Sequence, residues 1–290
     1  MSSATIDRML SSTKKSYQLK QKGKSTTKPG TLLKSTIPVR TFADWNEDRP
    51  GFMETDLVAF CGQSVKGDYV NGLDITDVAT GWVLLEVVMG KGQTRIHQAI
   101  DSARNRLLFP LLGLDSDNGT EFINGIMCRY CAEHKITFTR IRPYRKNDNC
   151  FVEQKNYTVL RRFLGYSRYD TDQQLTVIRK VLRLVELYVN FFQPSMKLIE
   201  KHRDGAKTIK KYDKAKTPYQ RLLEYNILTK ENKKKLRTIY LQTNPLHLKR
   251  KIDKLLKKLF HLLTPIKMTI KLQPPIVTNL SDLTNRSSVT

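Results

Sequence analysis

Two aspartates two positions apart, Asp115 and Asp117 in GLDSDNGTEF, sit in a chain whose formal charge is +24. A carboxylate pair in so basic a protein can hold a divalent cation, cap a helix, or do neither. On a strand both side chains share a face, because successive residues alternate. Asp117 stands at the exit of the run LLGLDSD, with Asn118 and Gly119 to make the following turn, and Asp115 lies one pleat deeper. Other acids fall in comparable places: Asp56 in METDLVAFC with Glu54 on the same strand face, Asp74 and Asp77 in GLDITDVATG, and Glu153 in NDNCFVEQKN. The chemistry such a set could do is metal-dependent phosphoryl transfer. Mg²⁺ prefers carboxylate oxygens and water, and two ions about 4 Å apart neutralise charge at phosphorus and steer the attacking and leaving oxygens. Without cations the same carboxylates repel one another and destabilise the fold. Alternation does not separate Glu54 from Asp56. Asp77, next to Ala-Thr-Gly, reads as a turn aspartate, and Asp117 taken alone could equally cap the helix containing Glu121 and Phe122.

The elements that must position these residues follow from periodicity. METDLVAFC, YVNGLDITDV and GWVLLEVVM are apolar, β-branched runs separated by GQSVKGD and ATG, the pattern of an antiparallel meander. QTRIHQAIDSARNRLLF is an amphipathic helix, LLGLDSD a buried strand, EFINGIMCRYCAEH a helix, ITFTRIRP a strand ended by proline, and FVEQKNYTVLRRFLGY a helix. The order βββαβαβα predicts an α/β fold with a mixed sheet, its antiparallel strands extended by parallel ones through helical crossovers. In such sheets sites form beyond the strand ends. That places Asp56 within the first strand, Asp117 at the end of the fourth and Glu153 on the helix after the fifth.

With 35 residues between Asp117 and Glu153, the set Asp56, then Asp117 in SDNGTEF, then Glu153 in NDNCFVEQKN resembles the D,D-35-E catalytic core of retroviral-type integrases and insertion-sequence transposases. The likeness covers about residues 50 to 200. Beyond it, YVNFFQPSMKL at 188–198 and KTPYQRLL at 216–223 are similar to post-catalytic segments of the same transposases, here separated by a basic insertion. The resemblance implies a ribonuclease H-like fold. It implies that Asp56 bridges two Mg²⁺ (or Mn²⁺) ions, with Asp117 and Glu153 holding one each, and it favours Asp56 over Glu54 and Asp117 over Asp115. The implied reaction is hydrolysis that frees a 3′-OH at the element end, followed by attack of that hydroxyl on target DNA, with no covalent enzyme intermediate. A non-catalytic DNA-binding transposase remnant and a ribonuclease H-like nuclease are the alternatives.

Charge supports a polyanionic partner. Residues 1–50 hold ten Lys/Arg against four Asp/Glu, residues 51–150 eleven against twelve, and residues 151–290 thirty against eleven. A near-neutral middle between basic flanks is the pattern of a catalytic core with DNA-binding extensions, since each neutralised phosphate releases a counterion. Near Glu153, the expected phosphate contacts are Lys155, Arg161 and Arg162, with Asn156 and Tyr157 flanking the same helix face. Arg142, Tyr144, Arg145 and Lys146 lie in the loop before that helix. This loop, PYRKNDNCFVE, departs from the glycine-rich version of retroviral integrases.

Four units are expected: a basic N-terminal arm over 1–45, a ribonuclease H-like integrase domain over 46–200, a basic helical extension over 201–265 and a disordered tail over 266–290. SSATIDRML, with a serine N-cap, is similar to the last helix of an end-recognition module. The specificity domain is therefore expected to be missing or supplied by a separate subunit, and the chain to act as a homo-oligomer on element ends and target DNA. The five histidines, 97, 134, 202, 247 and 261, make no HHCC pattern. Cys128 and Cys131 form a single C-x-x-C without a second ligand pair, so these cysteines are expected as thiols in a reducing compartment. Neither an apolar run of membrane-spanning length nor a signal-peptide pattern is present, which leads to a cytoplasmic, nucleoid-associated protein and no membrane partner. The lysine-rich amphipathic stretch LKRKIDKLLKKLFHLL is expected to bind DNA or to self-associate.

Overall fold

The structure, a computed structural model, describes residues 2–11, 36–40, 48–142, 150–205 and 207–263. Ser2 Oγ accepts the Thr5 N–H at 3.3 Å and caps the short helix α1 (Ser3–Met9), the serine cap expected there. The sheet is built from β1 (Val39–Arg40), β2 (Phe52–Ala59), β3 (Val70–Asp77), β4 (Val83–Met89), β5 (Gly113–Ser116) and β6 (Thr137–Ile141), in the spatial order β1-β6-β5-β2-β3-β4. β2, β3 and β4 pair antiparallel, whereas β5 runs parallel to β2 and β6 parallel to β5. The first of the expected strands thus lies at the centre, flanked by its meander partner and by the first crossover strand. This is the ribonuclease H-like order that the sequence leads to, with β1 added at the edge along β6.

Helices cover both faces. α2 (Gln93–Arg104) and α3 (Gly125–Glu133) lie on one, where Met53, Leu73, Ile75 and Leu114 share a core with Ile96, Ile100 and Met127. On the other face Val58, Val83, Leu85 and Val87 share a core with Leu160, Ile178, Val181 and Val185. Covering on both sides explains why β3 is buried at every position and why its sequence shows no clean alternation.

Two boundaries differ from expectation. α3 begins four residues later than the helical pattern suggests, because Asn124 supplies the cap: its Oδ1 accepts the Met127 N–H at 3.0 Å. The helix bearing Glu153 runs as α4 (Cys150–Lys155), continues through a π-helical segment (Asn156–Arg161), and ends as α5 (Arg162–Leu164) at Gly165, whose φ of 68° suits a residue without Cβ. The wider π turn rotates α5 about the helix axis relative to a regular continuation of α4.

α6 (Asp172–Phe192) opens with a full capping box between Thr171 and Gln174. Past it the expected all-helical extension gives way to a ribbon of β7 (Leu198–Asp204) and β8 (Lys207–Tyr212). Then come α7 (Pro218–Glu224), α8 (Lys230–Gln242) and α9 (Pro245–His261). These helices do not stand apart. Tyr219, Leu222 and Leu236 join the first core, and Leu248, Ile252 and Leu259 join the second, each burial contributing about 1.5–3 kcal/mol. The apolar stripe of LKRKIDKLLKKLFHLL is therefore used inside the chain, against α6. No helix among the described residues is long and apolar enough to cross a membrane.

Candidate functional site

The parallel pairing of β2 with β5 brings the acids together. Glu54 stands opposite Asp115 and Thr55 opposite Ser116, so the next step of the same register sets Asp56 beside Asp117 at the strand exit. On the other side Asp56 stands opposite Asp74 of β3. α4 starts over this strand end and carries Glu153 in its first turn.

Asp56 is pushed up to about 8, first by burial, then by the charge of Asp117, with Glu153 adding to it. Asp56 thus feels both of the other expected residues, although the three come from β2, the end of β5 and α4. Asp56 Oδ2 accepts the Asn156 side-chain amide at 2.6 Å, and its Oδ1 accepts the Leu57 N–H at 2.8 Å. Asp117 Oδ1 accepts the Gly119 N–H at 2.9 Å. Asp117 is not a helix cap, since α3 is capped by Asn124. A Cβ at Gly119 would lie 2.9 Å from Asp117 Oδ1 and 2.6 Å from the Glu121 carboxyl carbon, so it would push these two carboxylates aside.

The rivals occupy a deeper layer. Glu54 is fully buried, and its Oε2 accepts the backbone N–H of Phe151 at 2.9 Å and of Val152 at 3.0 Å. Burial, with Asp115 and Glu153 nearby, pushes it up to about 8. Asp115, 1% exposed, accepts the Thr139 hydroxyl. Asp74, also fully buried, accepts the Thr76 hydroxyl at 2.8 Å and is pushed up to about 7 by burial. Asp77 is the turn aspartate expected of it. It accepts the N–H groups of Gly51 at 2.7 Å and Thr80 at 2.8 Å together with the Thr80 hydroxyl at 2.6 Å.

The expected phosphate contacts divide. Arg142 and Arg162 are exposed. Asn156 faces Asp56 rather than solvent. Lys155 is turned inward near Asp74, and burial lowers its ammonium group. Arg161 is engaged within the fold: it donates to Ala59 O at 3.0 Å and Gly165 O at 3.3 Å, and lies 5.0 Å from the Phe60 ring centroid and 4.6 Å from that of Tyr166. Arg161 is among the expected phosphate contacts; here the π segment and the two aromatic rings hold it against the fold. Arg145 and Lys146, with Tyr144, lie outside the described residues. Cys131 is buried, which pushes its thiol up to about 12.

Among the described residues no three His, Cys, Asp or Glu side chains are gathered closely enough to hold a metal ion as they stand. The donor chemistry nevertheless fits a hard divalent cation: Asp117 and Glu153 are the charged groups that act on Asp56, and burial together with these neighbours raises its carboxyl above the ordinary range. A cation would remove that repulsion.

No family model matches the chain. It is 38% identical over 224 residues to the uncharacterized protein y4rM of Sinorhizobium fredii, across 76% of this chain and 63% of that protein. The chain therefore spans less than two thirds of the length of this curated relative. Among solved structures it is similar to the catalytic core domain of BIV integrase, with a TM-score of 0.38 and 18% identity over 60% of this chain and 94% of that one. It is also similar to a chain of the simian T-cell lymphotropic virus intasome in complex with PP2A regulatory subunit B56 gamma, with a TM-score of 0.46 and 14% identity over 72% of this chain and 64% of that one.

Proposed function

We propose that the chain is a DNA transposase or integrase that carries out metal-dependent 3′-end cleavage and DNA strand transfer. The observation that carries this reading is geometric: the β2–β5 register sets Asp56 beside Asp117 at the end of β5, and Asn156, three residues after Glu153, donates to Asp56 Oδ2 at 2.6 Å. Asp56, Asp117 and Glu153 would hold two Mg²⁺ or Mn²⁺ ions, which supply charge neutralisation at the phosphorus and orient the attacking and leaving oxygens. The chain's own residues set the stage. Glu54 fastens the start of α4 to β2, so Glu153 approaches the strand bearing Asp56. Asn156 orients the Asp56 carboxylate, and Gly119 leaves room for Asp117. In the first step water breaks a P–O bond and frees a 3′-OH at the element end. In the second, that hydroxyl oxygen bonds to a target phosphorus while the target's own P–O3′ bond breaks. Arg142 and Arg162, both exposed, would meet phosphates in this reading, and the partners would be element ends, target DNA and further copies of the chain.

The test compares the wild type with Asp117→Asn for nicking and strand transfer in Mg²⁺ or Mn²⁺. Loss of both activities with DNA binding kept is expected; retained activity rejects the reading. A second readout needs no turnover. Saturating Mn²⁺, at about 100 times its Kd, should stabilise the wild type by about 2.7 kcal/mol and the variant much less. Cleavage of an RNA–DNA hybrid without strand transfer would move the assignment to a ribonuclease H-like nuclease.

A further inference from the structure

The basic insertion after residue 198 forms a ribbon whose described side chains are exposed on both faces. A two-stranded ribbon with neither face covered is marginal in water, so this one calls for a surface to lie on. Its register sorts the charges. Lys201 stands directly opposite Lys210, Arg203 opposite Thr208, and Leu198 opposite Tyr212. Lys201, Arg203, Thr208, Lys210 and Tyr212 alternate onto one face, with the register irregular between Leu198 and Glu200, and no acidic residue holds a place on that face among the described residues. Glu200 lies on the other face with Lys211, 3.9 Å away, and with His202 and Ile209. Two like charges directly opposite across an antiparallel pair destabilise it, and the adjacent Arg203 adds a third cation. Arg203 donates to a backbone oxygen, that of Gly205 at 3.2 Å, which leaves its charge without a carboxylate in that bond. Such a face favours a polyanion.

The root of the ribbon is firm and lies beside the candidate site. Lys197 donates to Val78 O at 2.8 Å and Ala79 O at 2.6 Å, and its ammonium lies 5.9 Å from the ring centroid of Phe151, two residues before Glu153. Asp213, on the returning strand's side, accepts the Lys197 N–H at 2.6 Å and pairs with Arg221, which also donates to Ser195 O at 2.7 Å. The ribbon therefore projects from the edge of the site on a fixed base. Strands of this length reach about 20 Å, and a major groove about 12 Å wide admits a two-stranded ribbon.

We infer that the ribbon face bearing Lys201, Arg203, Lys210 and Tyr212 is a contact surface for duplex DNA, held beside the candidate site by the Lys197–Asp213–Arg221 root. The inference deepens the proposed function and rests on its reading of DNA as the partner. Neighbouring substitutions on opposite faces test it with the same change in net charge. Binding of the full chain to a duplex of about 30 bp is measured over a salt series. Thr208→Glu should weaken binding about tenfold and Ile209→Glu should leave it within about twofold, while Lys201→Ala/Arg203→Ala/Lys210→Ala lowers the slope of log K against log salt by about 2 to 3. Circular dichroism melts matching the wild type show that the exposed changes leave the fold intact. Equal losses from Thr208→Glu and Ile209→Glu, or an unchanged slope in the triple variant, overturn the inference. Strand transfer by Asp117→Asn is scored separately: its survival rejects the catalytic reading without touching the ribbon, and an unchanged slope rejects the ribbon without touching catalysis.

Discussion

The Glu54 carboxylate accepts the backbone N–H of Val152 at 3.0 Å, joining the strand that carries Asp56 to the helix that carries Glu153. The same oxygen also takes the Phe151 N–H. These are donors at a helix start that have no intrahelical partner. A residue two positions from Asp56 on one strand face thereby sets where the third acid arrives.

Glu54→Ala should lower the unfolding free energy by about 2–6 kcal/mol, since two N–H groups lose their acceptor at about 1–3 kcal/mol each. Glu54→Gln keeps an acceptor oxygen and should lose less than about 1 kcal/mol. Urea melts of the two variants check this. If the alanine variant proves as stable as the wild type, α4 is held by other contacts.

Arg161 is predicted to matter for stability rather than for DNA. Its hydrogen bonds to Ala59 O and Gly165 O and its place over the rings of Phe60 and Tyr166 are together worth about 2–3 kcal/mol. Arg161→Ala should lose that much in a denaturant melt and leave the salt slope of duplex binding unchanged. A slope lower by about 1 would return the residue to the phosphate contacts.

Asp74 makes stability depend on pH. Its carboxyl titrates at about 7 in the folded chain against an ordinary 3.8. Between those values the folded chain keeps a proton that the unfolded chain has lost. Stability therefore falls as pH rises from about 4 to 7 and stays low above that window. Asp74→Asn retains an acceptor for Thr76 and removes the ionisation. It should raise the melting temperature at about pH 8.5, by a free energy on the order of a few kcal/mol, and change little near pH 4. Equal effects at both pH values would show that burial of a charge at Asp74 is not what is being relieved.

Much of the scaffold was legible in the sequence because its signals are local. β-branched runs mark β2, β3 and β4, and the three-and-four spacing of apolar residues marks α2, whereas α6 was not among the elements expected. The elements carrying Asp56, Asp117 and Glu153 were legible for the same reason, whereas the choice of these three acids rested on the resemblance to D,D-35-E cores. The ribbon at Leu198–Tyr212 was not legible as strands, because its alternation is carried by lysines and has no apolar partner face. The π segment gives no signal by periodicity, since a single wider turn leaves the apolar spacing still helical.

The order of the elements, the places of the acids along them and the excess of positive charge come from the sequence alone, because each depends on neighbours in the chain. Only tertiary structure separates Glu54 from Asp56 and Asp115 from Asp117. Within each pair the residues share a strand face, and alternation cannot tell a buried carboxyl from a partly exposed one. That distinction arises when α4 lays its first N–H groups on Glu54 and when β5 stops at Ser116, the first of these a contact between segments about a hundred residues apart in the chain. The inward turn of Lys155 and Arg161 and the docking of α9 onto α6 are decided in the same way: a long basic side chain or an apolar stripe takes whatever surface the packed core leaves beside it.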